Sequence, residues 1–279
     1  MGNLEEKLLN LSRYITQLQR VVVAFSGGVD SSLVLKVAVD CMGKENVLAV
    51  TLLSPLMPRR DLETAGRIAR ALQAPHRIIE TDVLQDAQIV ANTPQRCYHC
   101  KRRAFELLTG LARCEGYRSV LEGSNRSDTR DYRPGLAAVR SFEMVKSPLL
   151  ECGLDKGEVR RLAKSLGLSN WDQPARPCLA SRIPYGEPLS LKKLEMVSDA
   201  EARLAELGVS NVRVRYHGQV ARIEIDPGEM SRVLKPELLR LISREVKACG
   251  FTYVALDLDG YRTGSLNEVI SDEPARLKK

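Results

Sequence analysis

Val21-Val22-Val23-Ala24-Phe25-Ser26-Gly27-Gly28-Val29-Asp30-Ser31-Ser32 is the stretch on which the reading of this chain turns. Five apolar residues in a row, without alternation, predict a strand buried on both faces, as in a parallel sheet. Two glycines then allow a tight turn and leave no Cβ between the backbone and a ligand. The serines fall where a helix should begin, and N–H groups at a helix N-terminus converge on an anion, phosphate above all. Asp30 beside that anion implies a cation between them, which brings Mg²⁺ into the reading. The spacing matches neither Gly-x-x-x-x-Gly-Lys-Ser/Thr nor Gly-x-Gly-x-x-Gly, which excludes a Walker A loop and a dinucleotide fingerprint.

Working outward, Val47–Leu52, Arg77–Ile79, Ser119–Gly123 and the segment ending at Leu149 read as further strands. Helical patterns at 4–19, 61–72 and 95–110 alternate with them. This order predicts an α/β fold, a doubly wound parallel sheet over residues 1–185, with ligands at the carboxyl ends of the strands. Residues 170–190 are proline-rich and read as a structured loop or linker. Beyond it, helices near 190–207 and 228–249 and strands at 212–216, 221–225 and near 253–258 predict a second, smaller α+β domain over 186–279.

With 279 residues, 44% of them hydrophobic and 28% charged, the chain has ordinary globular composition. No run approaches the roughly 20 apolar residues of a membrane span. The formal charge of +7 suits anionic substrates. The positive charge is dispersed, so no nucleic-acid arm is indicated. Seven cysteines, an odd number, with no secretory signal, favour a reduced cytoplasmic setting in which some thiols do chemistry or bind metal.

Cys97-Tyr98-His99-Cys100 is a C-x-x-C unit at the start of a predicted helix. The surrounding pattern is wrong for a thioredoxin-like motif. A structural zinc site wants four ligands, and there is no second C-x-x-C. Three thiols with an open position suit a [4Fe–4S] cluster, with Cys178 as the natural third ligand. Cys178 stands between Arg176 and Arg182, cationic surroundings that suit a nucleophilic thiolate. Cys41, Cys114, Cys152 and Cys249 lack such neighbours and read as packing residues. Arg213, Arg215 and Arg262 could clamp a phosphate, although a solvated strand face explains the first two equally well. His217 reads as structural.

The opening loop resembles that of the PP-loop ATPases, the N-type ATP pyrophosphatases, which split ATP between the α and β phosphates and adenylate an oxygen. Together with Arg96-Cys-Tyr-His-Cys-Lys101, Glu122-Gly-Ser-Asn-Arg-Ser-Asp128, Asp131-Tyr-Arg-Pro-Gly135, Pro177-Cys-Leu-Ala-Ser-Arg-Ile-Pro-Tyr-Gly186 and Val212-Arg-Val-Arg-Tyr-His-Gly218, it resembles the LarE family. That resemblance extends over nearly the whole chain. It implies an adenine nucleotide α-hydrolase-like PP-loop domain and an ATP-dependent sulfur transferase of nickel-pincer nucleotide cofactor synthesis. The implied substrate is a small-molecule pyridinium dicarboxylate mononucleotide. Ser26, Gly27, Gly28, Ser31 and Ser32 would hold the ATP phosphates, with Asp30 near Mg²⁺. Cys178 would attack the activated carbonyl beside Ser181 and Arg182, and Arg213, Arg215 and Arg262 match the family's substrate-phosphate site. The resemblance also suggests a homo-oligomer, such as a hexamer.

Two sulfur sources follow from the resemblance. Members with one key cysteine sacrifice it, leaving dehydroalanine. Members that also carry the C-x-x-C pair resemble enzymes in which three cysteines hold [4Fe–4S] and the open iron delivers an added sulfide. Cys97, Cys100 and Cys178 tilt the expectation towards the cluster. The competing activities are tRNA 2-thiolation, which needs an RNA-binding surface, and an NAD-synthetase-like amide ligase, which needs no cysteines at these places.

Overall fold

The computed structural model describes residues 2–130, 134–174, 176–262 and 265–267. In chain order the first elements are α1 (Gly2–Thr16), β1 (Val21–Ala24), α2 (Val29–Met42), β2 (Val47–Leu53), α3 (Arg59–Ala71), β3 (His76–Glu80), α4 (Ala87–Val90), α5 (Arg96–Cys114) and β4 (Ser119–Leu121). Next come α6 (Pro134–Arg140), β5 (Val145–Lys146), α7 (Pro148–Glu151), α8 (Lys156–Ser165), α9 (Leu191–Glu206), β6 (Arg213–His217), β7 (Val220–Glu224), α10 (Met230–Val233), α11 (Pro236–Lys247) and β8 (Tyr253–Leu256). They form two compact units, Met1–Val83 with Gln95–Arg176, and Leu84–Pro94 with Pro177–Lys279. The sequence reading drew one boundary at 185/186. The compact units instead change over at 176/177, and residues 84–94 join the second because Asn92 and Val90 hydrogen-bond to residues 183–189.

The first unit is the expected α/β layer structure. Its sheet has the order β3-β2-β1-β4-β5, and every neighbouring pair is parallel. Successive side chains of β1 point to opposite faces. Val21 and Val23 enter a core with Leu11, Ile15, Leu33, Val37, Leu149 and Leu162, drawn from α1, α2, α7 and α8. Val22 enters the opposite core with Phe105, Leu108, Val120 and Val139, which includes α5 and α6. Each such side chain contributes roughly 1.5–3 kcal/mol by leaving water. Burial on both faces explains why β1 reads as an uninterrupted apolar run. Chain order reverses between β1 and β4, so the switch-point crevice opens at their carboxyl ends. The glycine loop follows β1 there, and Glu122-Gly123-Ser124-Asn125 follows β4.

The second unit has the sheet order β6-β7-β8, with β6 and β7 an antiparallel hairpin and β8 parallel to β7. Its buried side chains include Leu194, Val197, Val214, Ile223, Ile242 and Phe251. Two expectations change. The helix read over 228–249 is broken into α10 and α11, because Pro236 forces Lys235 into extended backbone with ψ 132°. The fifth strand of the first unit is only Val145–Lys146, since Pro148 starts a short helix directly behind it.

The start of α8 is fixed by a capping box. Asp155 accepts the Glu158 N–H at 2.9 Å, and Glu158 accepts the Asp155 N–H at 3.0 Å. The Glu158 N–H is the main reason the Asp155 carboxyl is held below its ordinary pKa. A depressed folded-state pKa gives stability that is present above the unfolded value and lost as pH falls through the folded one. Asp155→Ala is therefore expected to cost about 0.5–2 kcal/mol at neutral pH. That gap in Tm from the unaltered protein should shrink below about pH 4. A gap that stays constant down to pH 3 would count against the carboxylate's role.

Candidate active site

In the first unit, the glycine loop is held from behind by β2. The Phe25 N–H donates to the Val50 carbonyl at 2.8 Å, and the Phe25 carbonyl accepts the Thr51 hydroxyl at 2.7 Å. Thr51 Oγ1 also lies 2.8 Å from His76 Nε2. Its single proton goes to Phe25, so His76 must donate through a protonated Nε2. Burial, with help from Arg70, lowers the His76 pKa and keeps the ring neutral. Gly27 follows with φ +74°, and a Cβ there would meet the Ala65 backbone N at 2.8 Å. Only glycine therefore lets the loop lie against α3.

Ser26 and Gly28 are exposed, whereas Ser31 and Ser32 are buried. The Ser31 hydroxyl donates to the Gly28 carbonyl at 3.1 Å and lies 3.2 Å from Ser26 Oγ, which accepts the Gly28 N–H at 3.3 Å. These groups and the intrahelically unpaired N–H groups opening α2 form the polar lining of the loop. Ser32 sits behind it: its hydroxyl accepts from Asn170 Nδ2 at 3.0 Å and is fully buried.

Asp30 is positioned by two other elements. Asn125, in the loop after β4, donates to it at 3.0 Å, and Lys156, the first residue of α8, pairs with its other oxygen. Gly123 permits this approach, because a Cβ would lie 2.9 Å from the Ser31 N. Glu122 is buried and accepts from the Ser124 N–H (3.0 Å), Ser124 Oγ (2.7 Å) and Ser147 Oγ (2.5 Å), with Lys101 Nζ 3.9 Å away. Lys101 belongs to the first turns of α5, which also carry Cys97 and Cys100, both partly buried. Their spacing puts them on one helix face. Asp131, Tyr132 and Arg133, which helped to carry the family resemblance, lie outside the described residues.

In the second unit, Cys178 precedes a single helical turn, Leu179–Arg182. The Cys178 carbonyl accepts from the Ser181 hydroxyl at 2.7 Å and from Arg182 Nη1 at 3.2 Å. Arg182 is fully buried and forms a two-pronged pair with Glu201, Nε to Oε1 at 2.9 Å and Nη2 to Oε2 at 3.0 Å. Glu201 also accepts the Val214 N–H of β6 at 3.1 Å. Arg215 donates to the Ser181 carbonyl at 2.6 Å and pairs with the buried Glu224 at 2.7 Å. The turn behind Cys178 is thus braced at both ends by arginines whose charge is met by buried carboxylates.

This changes the sequence picture of the thiol. Arg182 spends its guanidinium on Glu201 and on the Pro177 and Cys178 carbonyls, while Arg176, in the first unit, pairs with Asp61 at 3.0 Å. Both flanking guanidinium groups are therefore committed to ion pairs. Arg213 and Arg215 are buried, so the alternative of a solvated strand face does not hold. Arg213 lies over the Tyr261 ring at 5.1 Å, and Arg262 pairs with Asp259 at 3.3 Å. His217 accepts from Arg222 at 3.2 Å, and burial lowers its pKa, in keeping with a structural role. Among the described residues, no three His, Cys, Asp or Glu side chains gather as a metal site.

The sequence reading missed Lys156, Asn170, Glu201 and Glu224. Only Lys156 carried a local signal, since Asp155-x-x-Glu158 marks a helix start that aims it. The others act through long-range contacts.

The NAD synthase family matches residues 4–103. Pyridinium-3,5-bisthiocarboxylic acid mononucleotide synthase of Lactiplantibacillus plantarum is 39% identical over 271 residues, 97% of this chain and 97% of that protein. The chain belongs to the LarE family. An uncharacterized Synechocystis protein is 41% identical over 268 residues, 96% of this chain and 99% of its own length. The tRNA-specific 2-thiouridylase MnmA of Methylobacterium nodulans is 28% identical over 192 residues, 56% of this chain and 50% of that protein. The PP-loop unit is thus of the ATP-utilising type shared with NAD synthase, and the LarE match spans the second unit as well. No helix among the described residues is long and apolar enough to cross a membrane.

Proposed function

We propose that this protein is an ATP-dependent sulfur transferase that turns a carboxylate of a pyridinium dicarboxylate mononucleotide into a thiocarboxylate, the LarE reaction of nickel-pincer cofactor synthesis. The observation that carries it is Cys178 on a turn braced by Arg182 and Arg215, in a chain that also has the PP-loop. An amide ligase would have no use for that cysteine. Ser26, Gly27, Gly28 and Ser31 bind the ATP phosphates, and Ser32 supports them from behind. Mg²⁺ suits the donor set, one carboxylate from Asp30 completed by phosphate oxygens, and would neutralise phosphate charge there. Lys156 adds a fixed cation beside Asp30.

A substrate carboxylate oxygen attacks the α phosphorus, and pyrophosphate leaves. The Cys178 thiolate then attacks the acyl carbon, and AMP departs with the former carboxylate oxygen, leaving a thioester. Loss of the Cys178 Cα proton sends the Cβ–S electron pair to sulfur. Thiocarboxylate and dehydroalanine result, with no net oxidation or reduction. Arg213, Arg215 and Arg262 receive the substrate phosphate. Arg215→Ala is expected to raise KM for the mononucleotide about 10- to 100-fold, the worth of one charged hydrogen bond. KM for ATP should stay unchanged, and an unaltered mononucleotide KM would remove Arg215 from this site.

Cys97 and Cys100, one turn apart on a single face of α5, favour a second reading in which cysteines hold a [4Fe–4S] cluster with Cys178 as third ligand. Cys97 and Cys100 belong to the first unit and Cys178 to the second. Iron and sulfide in anaerobically purified protein separate the two readings. Stoichiometric iron favours the cluster, while iron-free protein whose intact mass falls by one hydrogen sulfide after turnover favours sacrifice of Cys178. The setting is cytoplasmic, and the assembly a homo-oligomer, which light scattering would test.

A further inference from the structure

We infer that Asn170 is the positioning residue that aims the PP-loop at phosphate. This rests on the proposed use of the loop for ATP. Asn170 is fully buried in the first unit, outside the loop's own sequence. Its Nδ2 donates to the Gly27 carbonyl at 2.9 Å and to Ser32 Oγ at 3.0 Å. A carbonyl cannot donate, so the amide nitrogen must face Gly27. Its Oδ1 is left buried without a hydrogen-bond partner. An unmet buried acceptor is costly, and it remains here because both amide hydrogens are committed to the loop.

The consequence follows from peptide geometry. In a trans peptide the carbonyl of Gly27 and the N–H of Gly28 point in opposite directions. No peptide bond here is cis. Drawing the Gly27 carbonyl inward turns the Gly28 N–H to the exposed side, where it meets Ser26 Oγ at 3.3 Å. Gly27, at φ +74°, and Gly28, at φ −74°, have no Cβ to hold this peptide, which is free to rotate in the absence of a brace. Asn170 is that brace, and its second hydrogen bond ties it to the first turn of α2. The donors that face the phosphates are therefore set by a residue that never touches them.

The test uses the full chain and three probes: ATP with Mg²⁺, inorganic pyrophosphate, and adenosine, which lacks phosphates. Asn170→Asp keeps the shape but removes both donors, and Asn170→Leu fills the space without polarity. Both variants should bind ATP and pyrophosphate at least about tenfold more weakly than the unaltered protein, with adenosine affinity unchanged. A merely structural role would weaken adenosine in parallel. Parallel loss, or unchanged ATP and pyrophosphate affinity in a variant that folds, overturns the inference while leaving the proposed function intact. Failure of the unaltered protein to bind ATP would overturn both.

Discussion

Cys178→Ala is expected to abolish thiocarboxylate formation while ATP–pyrophosphate exchange, driven by the mononucleotide, stays within about twofold of normal. The two halves of the chemistry draw on different residues. In the proposed reaction adenylation draws on the loop after β1, Asp30 and Lys156, all in the first unit. The thiol belongs to the second unit, on the turn Leu179–Arg182. Removing Sγ deletes the nucleophile without touching the hydrogen bonds of that turn, which are made by the Cys178 carbonyl. Exchange assays and product mass measured on the same preparation check this. Loss of exchange together with transfer would mean that Cys178 acts before adenylation.

Glu201→Ala should be the most destabilising single change in the second unit, by about 3–5 kcal/mol, because it leaves Arg182 buried without its charge partner. At roughly 2–4 °C per kcal/mol, Tm should fall by on the order of 10 °C. Glu201 also accepts the Val214 N–H, so β6 loosens along with the turn. Sulfur transfer should drop more than exchange does, since the damage lies under Cys178. The double change Arg182→Met with Glu201→Leu, which removes both charges, should recover most of the stability and little of the transfer. Recovery of transfer as well would show that the pair serves only the fold.

How much of this was legible in the sequence depends on the range of the interactions. The PP-loop is a local code: an apolar run, two glycines and a helix start lie in consecutive residues, so strand, turn and helix start could all be read. The parallel sheet followed from the alternation of strands and helices. Pro236 was visible too, but periodicity hid the break between α10 and α11, because the apolar spacing continues across it. The arginines near Cys178 misled for a different reason. Sequence adjacency put two positive charges beside a thiol, whereas Asp61 and Glu201, distant in sequence, take up both guanidinium groups. The spacing of Arg215 reads equally as part of a phosphate clamp or as a solvated strand face, and only its burial against Glu224 and the Ser181 carbonyl removes the second. Buried carboxylates and Asn170 leave no local signature, since their meaning lies in partners reached only by folding.

The central claim is that ATP cleavage by this protein places sulfur on a carboxylate. The most direct measurement is mass spectrometry of the nucleotide after incubating the unaltered protein with ATP, Mg²⁺ and pyridinium-3,5-dicarboxylic acid mononucleotide. The account predicts AMP and pyrophosphate in step with a substrate whose mass has risen by the exchange of one oxygen for sulfur. AMP formation with the substrate carboxylates unaltered, or with an amide in their place when ammonia is supplied, would contradict it.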